Sequence, residues 1–112
     1  LPITSYVSIL HRVSGVILFF AVAVFLWLFD ASLSSPEGFE SVKAMFANPV
    51  CQVIVWGSLA ALAYHVVAGV RHLIMDFGVG EDSFESGRNS ARLALGVAIV
   101  AIALVTGWIF LW

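Results

Sequence analysis

At 112 residues, 62% hydrophobic and only 11% charged, the chain lacks the polar side chains needed to clothe a water-soluble domain. Its net charge of −2 supplies no basic field, which excludes nucleic acid as a partner. A lone cysteine, Cys51, rules out an intrachain disulfide, and without the paired Cys/His spacing of a zinc site it reads as a small apolar filler.

A helix crosses roughly 30 Å of hydrocarbon with about 20 apolar residues at about 1.5 Å each. Val13 to Phe29 carries no charge and reaches spanning length with the residues around Ser8 to Arg12. It is too long for the apolar region of a signal peptide, and no small-residue cleavage pattern follows it. The chain starts at Leu1 rather than Met, so a few further N-terminal residues are expected. Asp30 is expected at a solvated helix end. Ser35-Pro36-Glu37-Gly38 reads as a turn, and Ser34 or Ser35 followed by Glu37 or Glu40 predicts a capped, short amphipathic helix ending near Phe46.

The second span runs from Ala44 to Val70, interrupted by His65, and the third from Leu93 to Trp112 without a charge. Between them, Phe77 to Asn89 holds Gly78, Gly80 and Gly87 with acids interspersed, which predicts a solvated connection able to touch a soluble partner. Trp108 and Trp112 fit an interfacial aromatic belt. The ten-residue alternation of a membrane barrel is absent. The fold class expected is an all-α membrane protein of one domain, with three transmembrane helices at about 6–30, 48–75 and 90–112. Arg12 before span one and Arg71, Arg88 and Arg92 assigned to the second connection stand against Lys43 alone in the first. The positive-inside rule then puts the N-terminus and the second connection in the cytoplasm and the C-terminus outside.

An ionisable group inside a span is disfavoured by roughly 2.5 to 3.5 kcal/mol or more, so His65 and Arg12 invite a functional reading. In span two, Ser58, Ala61, His65, Ala68, Gly69 and His72 share a face, opposite Leu59, Val66, Val67, Val70 and Ile74. Small residues beside an imidazole leave room for a flat ligand such as a porphyrin. His65 and His72 project from one side of one helix, about 10.5 Å apart by helical rise, and cannot both ligate one iron. A second ligand comes either from His11 or from another chain. The plain alternative is that His65 only hydrogen-bonds across helices.

In span one, Ser8, His11, Arg12, Gly15 and Phe19 fall on one face. A buried Arg12 needs an anionic or strongly accepting partner, either a haem propionate or a quinone oxygen, and Ser8 one turn earlier offers a hydroxyl to a ring carbonyl. Alternatively, Arg12 snorkels to lipid phosphate and only marks topology. Asp76 can supply protons to a reduced quinone or serve as a capping or salt-bridging carboxylate, and the second is the commoner role.

Ser8-Ile9-Leu10-His11-Arg12-Val13-Ser14-Gly15 and His65-Val66-Val67-Ala68-Gly69-Val70-Arg71-His72 resemble the two signatures of the cytochrome b556 subunits of succinate dehydrogenase, the larger membrane anchors of respiratory complex II. The resemblance extends over the chain, including the Ser-Ser-Pro-Glu-Gly-Phe turn and the Met75-Asp76-Phe77-Gly78 exit from span two. It implies a place in a multi-subunit helical bundle in the bacterial cytoplasmic membrane, in contact with lipid. It also implies three protein partners: a flavoprotein subunit, an iron–sulfur subunit and a smaller anchor.

By position, the resemblance implies that His65 is an axial ligand of haem b and that a histidine of the smaller anchor is the opposite one. It implies that Ser8 and Arg12 line the ubiquinone site with Ile9 nearby, that His11, Arg12 and His72 lie near the haem propionates, and that Asp76 delivers protons. Complexes of this kind oxidise succinate at a flavin in a soluble subunit and pass the electrons to quinone. This chain would form part of the quinone pocket and perform no succinate chemistry itself. The segment that usually precedes span one is mostly absent. Two other readings compete: a haem-free structural anchor, as in some complex II relatives, and a small transporter. The transporter is disfavoured because the polar residues cluster at one interface and span three offers only Thr106.

Overall fold

The computed structural model describes residues 2–78 and 84–111, Phe84 by its backbone alone. It comprises four helices, α1 (Ile3–Ser34), α2 (Pro36–Phe46), α3 (Pro49–Asp76) and α4 (Phe84–Phe110), and no strand among the described residues. Three of them, α1, α3 and α4, are long and apolar enough to cross a membrane. Helices satisfy every mid-segment backbone group internally, as a hydrocarbon environment demands.

Proline, rather than charge, ends the first span. α1 continues past Asp30, which is exposed within the helix and not at its terminus. Ser32 and Ser34 return their hydroxyls to the carbonyls of Phe29 and Ala31, each at 2.7 Å, so these polar residues fit the helix. A residue before proline avoids the helical region, and Ser35 adopts φ −166°, ψ 162° ahead of Pro36. Its hydroxyl then accepts from the Gly38 amide at 2.9 Å and caps α2, the short helix expected here. Gly38 lies against the Ala31 carbonyl so closely that no side chain fits between them, which lets α2 fold back onto α1.

α3 begins with Asn48 accepting from the Val50 amide at 2.8 Å and with Pro49 in the first turn. It ends at Gly78, whose φ of +82° is open to glycine and whose amide donates to the Met75 carbonyl at 2.8 Å. Of the connection expected over 77–89, the stretch from Phe84 onward is the start of α4; residues 79–83, with Glu81 and Asp82, lie outside the described residues, as does Trp112. Of the arginines counted for the orientation of this side, Arg71 lies in α3 and Arg92 in α4, within the expected helices, and Arg88, expected in the connection, is helical in α4. Glycines and charges read as loop, but Gly87 and Ser90 face α3 as helical residues and receive Arg71.

Arg71 is 7% exposed. Its Nε donates to Ser90 Oγ at 3.2 Å and its terminal nitrogen to the Gly87 carbonyl at 3.3 Å, tying α3 to α4. Gly87, Ala91, Ala94 and Ala98 are buried along α4 at spacings of four, three and four, so the two backbones approach closely. Nearer the other end of the pair, Trp56 Nε1 donates to Thr106 Oγ1 at 2.7 Å, which gives that hydroxyl a structural role. Val7, Ala68 and Ala91 form the core where α1, α3 and α4 meet, flanked by Ile3, Tyr64 and Leu95. There the Tyr64 hydroxyl donates to the Val7 carbonyl at 2.8 Å. The bundle measures 57 × 27 × 22 Å.

Candidate functional site

Beside that core α1 and α3 bring three imidazoles together, His11 and His65 about one turn inward of it and His72 one turn nearer the end of α3. The rings of His11 and His65 stack with centroids 4.3 Å apart and planes within 7°. His72 lies 5.3 Å from His11 at a 45° tilt. All three are half-buried. Gly15 makes the approach possible, since a Cβ there would lie 3.3 Å from His65 Cε1. A Cβ on Gly69 would lie 3.5 Å from His11 Cε1.

Ser14, buried on α1, contacts His65 directly. Its Oγ lies 3.0 Å from His65 Nδ1 and 2.8 Å from the His11 carbonyl oxygen, which is itself 3.3 Å from His65 Nδ1. His65 Nε2 carries no hydrogen bond to a described residue. The Nδ1 atom of His11 is buried and makes no hydrogen bond to a described residue either. A buried polar nitrogen without a partner is costly, which marks the cleft as suited to a polar group from outside the chain.

Ser8 and Arg12, one turn apart, lie on a flank of α1 beside this cleft. Ser8 is half-buried, Arg12 and Ile9 are exposed, and Asp76 is exposed as the last residue of α3. The arginine that the fold buries is Arg71, whereas Arg12, for which both a buried and a snorkelling position were open, is exposed. Asp76 stands eight residues beyond Ala68, about 12 Å of helical rise, closer to the end of the bundle. The structure thus gathers His11, His65 and His72, keeps Ser8 half-buried on the flank, and leaves Ile9, Arg12 and, at the end of α3, Asp76 exposed.

Sequence reasoning assigned no site role to Ser14 or Tyr64 and counted Arg71 only as a charge that sets the orientation. Of the stripe drawn through Ser8, His11, Arg12, Gly15 and Phe19, His11 and Gly15 do face α3 whereas Arg12 and Phe19 are exposed, and the face that packs is centred on Val7 and Ser14. The seven-residue spacing of those two was the available signal.

Residues 1–105 match the family model described as the succinate dehydrogenase/fumarate reductase transmembrane subunit. The chain is 36% identical over 110 residues to a succinate dehydrogenase cytochrome b556 subunit from Coxiella burnetii, covering 97% of this chain and 87% of that one. Its identity to the protein of the same name from Paracoccus denitrificans is 30% over 111 residues, covering 98% and 85%. With a Rickettsia bellii protein, also so named, it shares 41% identity over 80 residues, 70% of this chain and 60% of the relative. The family match covers both histidine-bearing segments and all but the last residues of the third apolar helix, and the chain belongs to the succinate dehydrogenase/fumarate reductase transmembrane subunit family.

Proposed function

We propose that this chain is a membrane-anchor subunit of a succinate:quinone oxidoreductase that holds haem b through His65 and forms part of the site where ubiquinone is reduced. The observation that carries the reading is the setting of His65: an imidazole inside an apolar helix, held at Nδ1, uncommitted at Nε2, and faced by glycine. The helices are fastened to one another elsewhere, by Tyr64, Arg71 and Trp56, which speaks against His65 serving as structural glue.

The donor set fits a haem. Nε2 of His65 is free to ligate iron, and the unsatisfied His11 Nδ1 and the nearby His72 suit a propionate. A histidine of the smaller anchor subunit would complete the ligand set, as the resemblance to the family implies. Bound there, haem b supplies a one-electron carrier within reach of the membrane interface.

Ser8 and Arg12 act on the quinone. The Ser8 hydroxyl donates to a ring carbonyl, and the Arg12 guanidinium favours the oxygen on which negative charge develops. The half-buried Ser8 and the exposed Arg12 fit a pocket completed by neighbouring subunits, with Ile9 on its apolar wall. Reduction of a quinone takes up two protons, and the exposed Asp76 serves as a relay from solvent. The electrons come from succinate oxidised in the flavoprotein and iron–sulfur subunits. The site end of the bundle faces the cytoplasm in this reading, with the C-terminus outside.

The test is a two-acceptor assay on the purified complex. Arg12→Leu is expected to lower succinate:quinone reduction by about ten- to hundredfold, the worth of a hydrogen bond from a charged donor, while succinate oxidation with a soluble dye is retained. Unchanged quinone turnover rules the role out.

A further inference from the structure

Hydrogen-bond chemistry at Ser14 decides which nitrogen of His65 carries its proton. A carbonyl oxygen only accepts, and a hydroxyl has a single proton to give. Ser14 is 2.8 Å from the His11 carbonyl and 3.0 Å from His65 Nδ1, so its proton goes to the carbonyl and its oxygen meets the imidazole with a lone pair. Nδ1 also faces that carbonyl at 3.3 Å. Both neighbours of Nδ1 are therefore acceptors, and in the neutral ring Nδ1 bears the hydrogen while Nε2 keeps the lone pair.

We propose that Ser14 is a positioning residue for His65. Its hydroxyl locks the Nδ1–H tautomer and the ring orientation, so that Nε2 is presented as the liganding nitrogen and its basicity is raised. The proposal rests on the reading of His65 as a haem ligand. A hydrogen bond from the remote N–H of a metal-bound imidazole to an acceptor strengthens the metal-side nitrogen as a donor. Stronger donation favours ferric over ferrous iron, so Ser14 lowers the reduction potential of the haem. The His11 carbonyl, longer at 3.3 Å, retains part of the effect when Ser14 is lost.

The experiment compares wild type, Ser14→Ala and Ser14→Thr in the complete complex, with haem content quantified and each haem titrated potentiometrically. Ser14→Ala is expected to keep its haem and to raise the ferrous-to-ferric ratio at a fixed ambient potential by about two- to tenfold, the upper figure being about 59 mV for a one-electron couple. Ser14→Thr, which keeps the hydroxyl, is expected to restore a value near wild type. An unchanged potential in Ser14→Ala overturns the proposal, as does an equal shift in both variants, which would trace the effect to side-chain volume. Should Ser14→Ala lose its haem, retention in Ser14→Thr supports the hydroxyl's role and loss in both overturns it. Failure of the underlying reading looks different: wild-type complex then contains no b-type haem at all.

Discussion

His65 and Arg71 stand six residues apart on α3, and the fold treats their polarity in opposite ways. Arg71 is enclosed and spends its donors on Ser90 and Gly87, whereas His65 is tied at one ring nitrogen and left open at the other. Arg71 is thus a structural tie. Arg71→Leu is expected to cost the complex about 1 to 3 kcal/mol by leaving buried acceptors undersatisfied, and to leave the haem spectrum unchanged; thermal unfolding and absorbance measured on one sample check both halves. Sequence alone singled out His65, because a histidine among small residues in an apolar run is conspicuous. It counted Arg71 only as an orienting charge near the end of the second helix, since only the approach of α4 reveals where a guanidinium finds its acceptors. Ser14 was invisible for a similar reason: a serine in an apolar helix gains meaning from the ring that tertiary packing lays against it.

At the scale of elements, α2 shows how far local chemistry reaches. A serine cap at Ser34 or Ser35 and the end near Phe46 are legible in the sequence, because caps act within a few residues, whereas Pro36-Glu37-Gly38, which reads as a turn, forms the first turn of the helix behind the Ser35 cap. The contact that folds α2 onto α1 depends on Gly38 meeting the Ala31 carbonyl seven residues earlier, and no local rule announces it. Gly38→Ala pushes a methyl into backbone that cannot give way, so it is expected to destabilise the complex by about 1 to 3 kcal/mol, seen as a lowered thermal midpoint. Haem content unaffected at low temperature would accompany it, because this corner lies far along α1 from the imidazoles. The early start of α4 went unread because Gly87 and the charges around it resemble loop composition. What makes them helical is the small-residue seam of Gly87, Ala91, Ala94 and Ala98 against α3, a pattern that needs a partner helix to be recognised.

The whole molecule has little interior of its own. Val7 is the largest side chain fully buried among the described residues, while Phe19, Leu26, Trp27 and Leu104 are largely exposed. Such a surface is at rest only against lipid or other apolar helices, as expected of one subunit in a larger membrane assembly. The same openness shapes the site. Three histidines converge between α1 and α3, while Ser8, Ile9 and Arg12, proposed above to meet the quinone, stay on the flank, Ser8 half-buried and the other two exposed. The most direct test is the reduced-minus-oxidised absorbance spectrum of the assembled complex, wild type against His65→Ala, with assembly checked by dye-linked succinate oxidation. A b-type haem signal in wild type that is lost or converted to a high-spin form in His65→Ala is the predicted result; an unaltered low-spin b-type spectrum in the variant would contradict the account.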